Sequence, residues 1–337
     1  MDSSAPAGVQ ANQSPPAPAA ASVCAIEISS VSHRYGERVA LEGVTFSVNS
    51  GEIFGLLGPN GSGKTTLFRI LSTLMLPSSG SARICGYDAA RDANAVRRNI
   101  GVVFQAASFD PKLTAEENLR HQGNLYGLRG AALRTRSNEM LARVGLTERA
   151  RERVETFSGG MQRRIELAKG LMHHPSVLLL DEPTTGLDPG ARIDLWQYLK
   201  QLRDEQGISV LITTHLMEEA ERCDRLGILH HGRLVALGAP AKLRGEIGGD
   251  VLVIESSGPE SLAERMRQRF QVSPQVLDGK IRLERTQGNR FATEVVEAFP
   301  GEVVSILVSK PTLEDVFIRH TGHRFWSDQQ NAGQKTS

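Results

Sequence analysis

Eight residues, Gly58-Pro59-Asn60-Gly61-Ser62-Gly63-Lys64-Thr65, lie between an apolar run, Ile53-Phe54-Gly55-Leu56-Leu57, and a stretch carrying Leu67, Ile70, Leu71 and Leu74 at helical spacing. A strand, a glycine-rich loop and a helix in that order form a cradle for phosphate. Gly61 and Gly63 present no Cβ, so backbone N–H groups along the loop can turn inward onto phosphate oxygens. The helix start adds unpaired N–H groups and the positive end of its dipole. Lys64 supplies a point charge for the outer phosphates, and the Thr65 hydroxyl is a ligand for Mg²⁺. The chain is therefore expected to bind nucleotide phosphate.

A second run, Val177-Leu178-Leu179-Leu180-Asp181-Glu182, reads as a buried strand with two carboxylates at its end. Ligands bind at that end of strands in open α/β sheets. Asp181 suits Mg²⁺, and Glu182 suits the base that orients and deprotonates an attacking water. An acidic strand end or a helix cap would look the same without the loop upstream. A third run, Phe157-Ser158-Gly159-Gly160-Met161-Gln162-Arg163-Arg164, precedes an amphipathic helix. Ser158 is a good N-cap, and the glycines expose N–H groups at a helix start. A second anion site and simple capping explain this run equally well.

The elements that must hold these residues follow from pattern. Ile26 and Ile28, then Val44, Phe46 and Val48, alternate as strands. Residues 112–156 read as helical, with Leu119, Leu125, Leu128, Leu133, Met140, Leu141 and Val144 as core positions. Val177–Leu180 and Val210–Thr213 read as fully buried strands. Strands alternating with helices predict a mostly parallel α/β sheet covered on both faces. Past Leu243, Gly245, Gly248 and Gly249 suggest a loose linker. A small α+β domain follows, with strands at Val251–Glu255, Val276–Arg285 and Val303–Ser309 and helices at Pro259–Phe270, Arg290–Phe299 and Leu313–His320. The expected division is a 1–24 tail rich in Ala, Pro and Ser, a 25–243 nucleotide-binding unit, a 244–323 C-terminal domain and a 324–337 tail.

The 337 residues carry a net charge of +1, which gives no reason to expect nucleic acid as partner. Cys24, Cys85 and Cys223 are scattered without metal-ligand spacing, as in a reducing compartment. No run approaches the roughly 20 apolar residues of a membrane span, and the first residues do not read as a signal peptide. A cytoplasmic protein is expected, held at a membrane only through another chain.

Residues 26 to about 240 resemble the ATP-binding cassette of ABC transporters. Gly58–Thr65 is similar to the Walker A motif and Val177–Glu182 to Walker B. Phe157–Met161 resembles the signature, departing from Leu-Ser-Gly-Gly-Gln at its first and last positions. Gln105 in Val103-Phe104-Gln105 resembles the Q-loop, and Thr184-Thr185-Gly186-Leu187-Asp188 the D-loop region. His215 matches the switch histidine, and Tyr35 in Arg34-Tyr35-Gly36 the aromatic that stacks on adenine. The resemblance implies a P-loop NTPase fold with a RecA-like core, an antiparallel β subdomain and a helical signature subdomain. It implies ATP and Mg²⁺ as cofactors. Nucleotide contacts would come from Tyr35, the loop through Thr66, Ser158, Gly159, Gly160 and Asp188. Thr65, Gln105 and Asp181 would serve the metal, and Glu182, His215 and Gln105 the reaction. Two copies would pack head to tail, the signature of one closing over ATP held by the other.

One cassette without a span implies a separate permease, docked after Gln105, where Phe109 and Leu113 would be contacts or else ordinary core. The Ser-Gly-Gly-Met-Gln-Arg-Arg run and Pro311-Thr312-Leu313-Glu314-Asp315-Val316-Phe317 resemble the daunorubicin-resistance and nodulation-type ATP-binding subunits of ABC-2 exporters. That resemblance implies export of a drug, lipid or glycolipid from the cytoplasmic face of the membrane. It also implies that the C-terminal domain regulates or stabilises the dimer. Glu314, Asp315 and Phe317 could pack across that dimer, or only cap and fill the last helix. A soluble ABC ATPase acting on ribosomes or DNA is the alternative. Such members carry paired cassettes or long coiled-coil insertions, and this sequence has neither.

Overall fold

The computed structural model describes residues 24–325, so most of the tails expected at 1–24 and 324–337 lies outside the described residues; Cys24 begins a strand, and Phe325, expected in a frayed tail, is fully buried. A six-stranded sheet runs in the order β10 (Arg233–Gly238), β9 (Arg225–His230), β3 (Ile53–Leu57), β8 (Ser209–Thr214), β7 (Val177–Asp181) and β6 (Ile100–Val103). β9 through β6 are parallel, and only β10 pairs antiparallel. Every residue of β3, β7 and β8 is buried, which is why these strands read as largely apolar runs without alternation. Because β3, β8, β7 and β6 are neighbours with one polarity, the segments following them emerge side by side on one edge. Those segments carry the phosphate loop, His215, Glu182 and Gln105.

A second, antiparallel sheet is ordered β2 (Arg38–Asn49), β1 (Cys24–Tyr35), β4 (Ser79–Ile84) and β5 (Tyr87–Asp88). It shares a core with the first, where Phe46 stacks on Phe54 at 4.9 Å. Tyr35, the last residue of β1, reaches the cleft beside the phosphate loop. Helix α1 (Lys64–Leu71) is shorter than the spacing predicts. Thr73 turns left-handed at φ 60°, and Leu74 lies outside the helix and exposed rather than in its apolar stripe. Helix α2 (Ala93–Asn99) leads into β6.

Helices α3 (Ala115–Leu125), α4 (Gly130–Arg143) and α5 (Gly159–Gly170) form a helical layer. It shares a core with α6 (Pro189–Gln206) and with the face of β7 and β8 lined by Leu178, Leu180, Val210 and Ile212. Thr114 and Glu117 close a capping box at the start of α3. Leu119, Leu133, Met140, Leu141 and Val144 are buried as expected, and Leu128 is partly so. Leu125 is not: it ends α3 on the outer face and is 81% exposed. Phe109, expected either as an exposed docking residue or as ordinary core, packs against this core, and Leu113 is half-buried.

After α7 (Met217–Ala220), α8 (Pro240–Gly245) occupies part of the stretch expected as a loose linker. Gly249 is also tightly placed, since a Cβ there would sit 2.5 Å from the Arg285 carbonyl oxygen. The C-terminal sheet is ordered β12 (Gln275–Leu277), β13 (Lys280–Arg285), β11 (Asp250–Ser256) and β14 (Val303–Ser309). Helices α9 (Pro259–Phe270) and α10 (Gly288–Ala298) pack onto it through Leu262, Met266, Phe291 and Val295. The single strand expected at Val276–Arg285 is a hairpin. Asp278 and Gly279 take φ of 50° and 73°, the two-residue turn that Asp-Gly favours. Helix α11 (Leu313–Thr321) returns to the first unit, where Val316 and Phe317 share a core with Leu57, Leu226 and Ile228. Asp315 caps α11 with Thr312 and accepts from Arg282 Nη2 at 2.8 Å. Asp315 and Phe317 therefore cap and fill within their own chain, the second of the two readings of that motif.

Candidate functional site

A cleft of about 330 Å³ opens at the ends of β3 and β7, lined by Tyr35, Arg38, Ala40, Asn60, Gly61, Gly63, Lys64, Thr65, Thr66, Arg69, Gln105 and Glu182. Gly61 and Gly63 hold φ of 80° and 107°, a region costly for residues with a Cβ. A Cβ on Gly58 would lie 2.4 Å from the Leu229 carbonyl oxygen and 2.5 Å from Ser62 Oγ. Ser62 Oγ itself is buried with no hydrogen-bond partner. A buried orphan hydroxyl inside a glycine loop is what a bound phosphate would satisfy.

Lys64 is 4% exposed, and burial pushes its ammonium below its ordinary value. Its Nζ donates to the carbonyl oxygens of Gly58 at 2.8 Å and Pro59 at 3.1 Å. It also lies 3.6 Å from Glu182 Oε1. Each of these contacts is one that a phosphate oxygen could replace.

Glu182 follows β7 at φ 44°, unusual for a residue with a side chain and consistent with strain held at a site. Its N–H donates to Thr213 Oγ1 at 3.0 Å, which pins the turn to β8. Its Oε2 lies 3.1 Å from His215 Nδ1. The His215 hydrogen bond, with Lys64 adding to it, holds the Glu182 carboxyl below the usual carboxylate value despite burial. Asp181 moves the other way, because burial raises it, opposed by the 2.5 Å bond it accepts from Thr213 Oγ1. The two neighbouring carboxylates are thus pushed apart, the pattern that separates roles in a reacting site. Tyr35 lines the cleft at 43% exposure, its hydroxyl donating to Met75 Sδ at 3.3 Å and its ring T-shaped against His33 at 4.7 Å.

Ser158, Gly159, Gly160 and Asp188 do not line this cleft. Ser158 caps α5, its Oγ accepting from Met161 N, and Asp188 caps α6, its Oδ1 accepting from Ala191 N at 3.0 Å. The nearest atoms to a Cβ on Gly159 would be Leu187 Cδ2 at 3.9 Å and Gly186 O at 4.0 Å, which leaves it open.

Several residues that hold the site together were not singled out from the sequence. Arg163, buried in α5, donates to the carbonyl oxygens of Pro183 at 2.6 Å, Phe104 at 2.9 Å and Glu182 at 3.4 Å. Glu166 accepts from Ser108 N and Ser108 Oγ, both at 2.7 Å, and Lys169 donates to the Ser108 carbonyl oxygen. Glu219 accepts from Thr184 Oγ1 and from Thr214 Oγ1. The signature helix, the segment around Gln105, the end of β7 and the start of the Thr184–Asp188 loop are therefore joined by buried polar bonds. Arg38 and Arg69 add two cleft cations. A charged residue on an amphipathic helix ordinarily reads as solvated, so only the tendency of buried charges to be paired could have marked these.

Residues 41–185 match the ABC transporter family. The chain is 42% identical over 309 residues to the Nod factor export ATP-binding protein I of Paraburkholderia xenovorans (strain LB400), covering 88% of this chain and 97% of that protein. It is 37% identical over 311 residues to the daunorubicin resistance ATP-binding protein DrrA3 of Streptomyces coeruleorubidus, covering 88% of this chain and 96% of that protein. Among solved structures, the dimeric post-hydrolysis cassette MJ0796 bound to ADP and Pi superposes with a TM-score of 0.57 at 30% identity, covering 64% of this chain and 98% of that one. With near full-length identity at this level and a phosphate cradle facing a paired base, the chain belongs to the ABC transporter family as an ATP-binding cassette protein.

Proposed function

We propose that this chain is the ATP-hydrolysing subunit of an ABC-2 exporter, acting as a head-to-tail dimer around two ATP molecules at the cytoplasmic face of a membrane. The observation that carries the reading is the division of the site. Lys64 and Glu182 line one cleft, with His215 held against Glu182, whereas the helix end at Ser158–Gly160 lies outside it. A second copy presenting that end would complete the enclosure, and the dimeric form of the cassette MJ0796 supports this arrangement. Residues 25–243 would form the cassette and 244–323 a C-terminal domain fastened to it.

In this reading, ATP binding draws Lys64 off the Gly58 and Pro59 carbonyls and off Glu182 onto the outer phosphates. Glu182, held ionised and steered by His215, then orients and deprotonates the attacking water. His215 moves between Glu182 and the γ-phosphate, and Tyr35 stacks on the base. Thr65, Gln105 and Glu182 line the cleft beside Asp181, and hard oxygen donors of this kind fit Mg²⁺ together with phosphates. When bound, the ion would neutralise charge on the β- and γ-phosphate oxygens. Arg163 and the Glu166–Ser108 bonds tie the signature helix to the segment after Gln105, so closing of the dimer would pull on the surface where a permease docks.

No helix among the described residues is long and apolar enough to cross a membrane, so the pore would come from a separate permease. The cargo in this reading is a drug, lipid or glycolipid, which the relatives named for Nod factor export and daunorubicin resistance support. The reading is tested by recovering tagged Glu182→Gln protein with ATP from detergent-solubilised membranes. A polytopic membrane partner supports it. Recovery of ribosomal or DNA-repair proteins alone overturns the export role.

A further inference from the structure

We infer that His230, His231 and His323 form a binding site for a transition-metal cation of the Zn²⁺ class. His230 ends β9, His231 begins the turn into β10, and His323 follows α11, some 90 residues away in sequence. One ring nitrogen from each lies within 4.8 Å of the others. The His230 ring is 4.0 Å from that of His231 and 4.8 Å from that of His323. Tetrahedral coordination with metal–nitrogen bonds of about 2.0–2.1 Å needs nitrogens roughly 3.4 Å apart, which rotation of partly exposed rings can supply. The donor set is three imidazoles and no hard oxygen, so it favours Zn²⁺, Co²⁺, Ni²⁺ or Cu²⁺ over Mg²⁺ or Ca²⁺. A fourth position would remain for water.

The surroundings fit a cation. The Arg324 carbonyl oxygen can only accept, so its 3.2 Å contact with His323 Nδ1 puts that ring's proton on Nδ1 and its lone pair on Nε2. The Arg324 guanidinium is engaged with Asp278 Oδ2 at 3.0 Å. Phe317 stands edge-on to both His230 and His323 and walls one side. The two-residue turn takes φ of 46° at His231 and 77° at Gly232, a conformation that ordinarily selects Asn, Asp or Gly at its first position. The exposed His231 ring is thereby held 4.0 Å from the His230 ring.

An ion here would join the end of α11 to the hairpin turn directly behind the phosphate loop. Gly232 N donates to the Ser62 carbonyl oxygen at 2.9 Å, and Gly232 O accepts from Glu42 N at 2.8 Å. The site would therefore staple the C-terminal segment to the part of the cassette that backs the nucleotide.

The test is titration of the nucleotide-free, full-length protein with Co²⁺ and with Zn²⁺. The expected result is one Co²⁺ per chain with the intense visible absorption of four-coordinate cobalt, displaced by Zn²⁺, and a melting temperature that rises by several degrees with Zn²⁺. His323→Gln and His231→Gln should each weaken binding at least about tenfold, consistent with loss of one ligand. Both should still bind ATP as the unchanged chain does, which shows that they fold. Cobalt absorption or a Zn²⁺-induced shift that survives in both variants would overturn the assignment, as would a wild-type chain that takes up no ion.

Discussion

The phosphate loop and the signature run are both glycine-rich entries to a helix, yet they are built differently. In the first, Gly61 and Gly63 sit in left-handed conformations and the loop carbonyls hold a buried lysine. In the second, Ser158 caps α5 at an ordinary φ of −63°, and Gly159 and Gly160 simply begin the helix. The loop is a cradle closed on its own chain, and the signature is a flat face offered outward. One glycine-rich run thus closes on its own chain and the other faces outward, which is the difference that the proposed site shared between two copies requires.

The largest effect that could break this contrast is on turnover. Glu182→Gln should lower ATP hydrolysis by roughly 10²–10⁴-fold while ATP affinity stays within a few-fold, measured by phosphate release and by nucleotide binding. Hydrolysis at the unaltered rate would remove Glu182 as the base. Lys64→Ala acts on the finished half and should cost about 2–5 kcal/mol of ATP affinity in the single chain. ATP binding unchanged from the wild-type chain would show that the buried ammonium does not reach the phosphates.

A matched pair of alanines sharpens the comparison. Gly58→Ala would drive a Cβ to 2.4 Å from a backbone oxygen, whereas Gly159→Ala meets nothing closer than 3.9 Å. The first should abolish nucleotide binding by the isolated chain. The second should leave that binding intact and slow hydrolysis by about tenfold to a hundredfold, because the methyl would intrude on a partner's nucleotide. Equal effects of both on single-chain ATP affinity would put the signature in the same cleft after all.

The smallest effect is electrostatic. Glu182 titrates below its ordinary value of 4.5 in the folded chain, with the His215 hydrogen bond as the main cause. A depressed carboxylate adds stability that is complete above the unfolded value and is lost as pH falls through the folded one. His215→Ala should therefore raise the folded value of Glu182 and shrink the stability lost on acidification, as read by denaturant unfolding between pH 6 and pH 3. An unchanged acid limb would mean that His215 does not hold Glu182.

Much of this site was legible because its chemistry is local in sequence. Lys64 and Thr65 follow their glycines directly, and Asp181 and Glu182 end a strand whose five buried residues announce it. The placing of Ser158 relative to the cleft was legible only through family resemblance, since residue types alone left capping and anion binding equally open. The structure shows Ser158 capping α5, with Ser158 and Gly159 exposed. Arg163, Glu166 and Glu219 were not legible, because their partners are carbonyls and hydroxyls on segments distant in sequence. Leu74 and Leu125 show the converse error. Apolar spacing continued past the point where a turn or a helix end took the chain away from the core. The Asp278-Gly279 turn was a readable signal inside a run taken as one strand.

Mixing two inactive variants tests the shared site most directly. Lys64→Ala lacks a cradle and Gly159→Asp lacks a closing face, so each chain alone should hydrolyse ATP at background. A mixed dimer has one intact cradle facing one intact signature, and a 1:1 mixture should recover a clear fraction of wild-type turnover. A mixture no more active than its components, from variants that still dimerise, would contradict a site built by two copies.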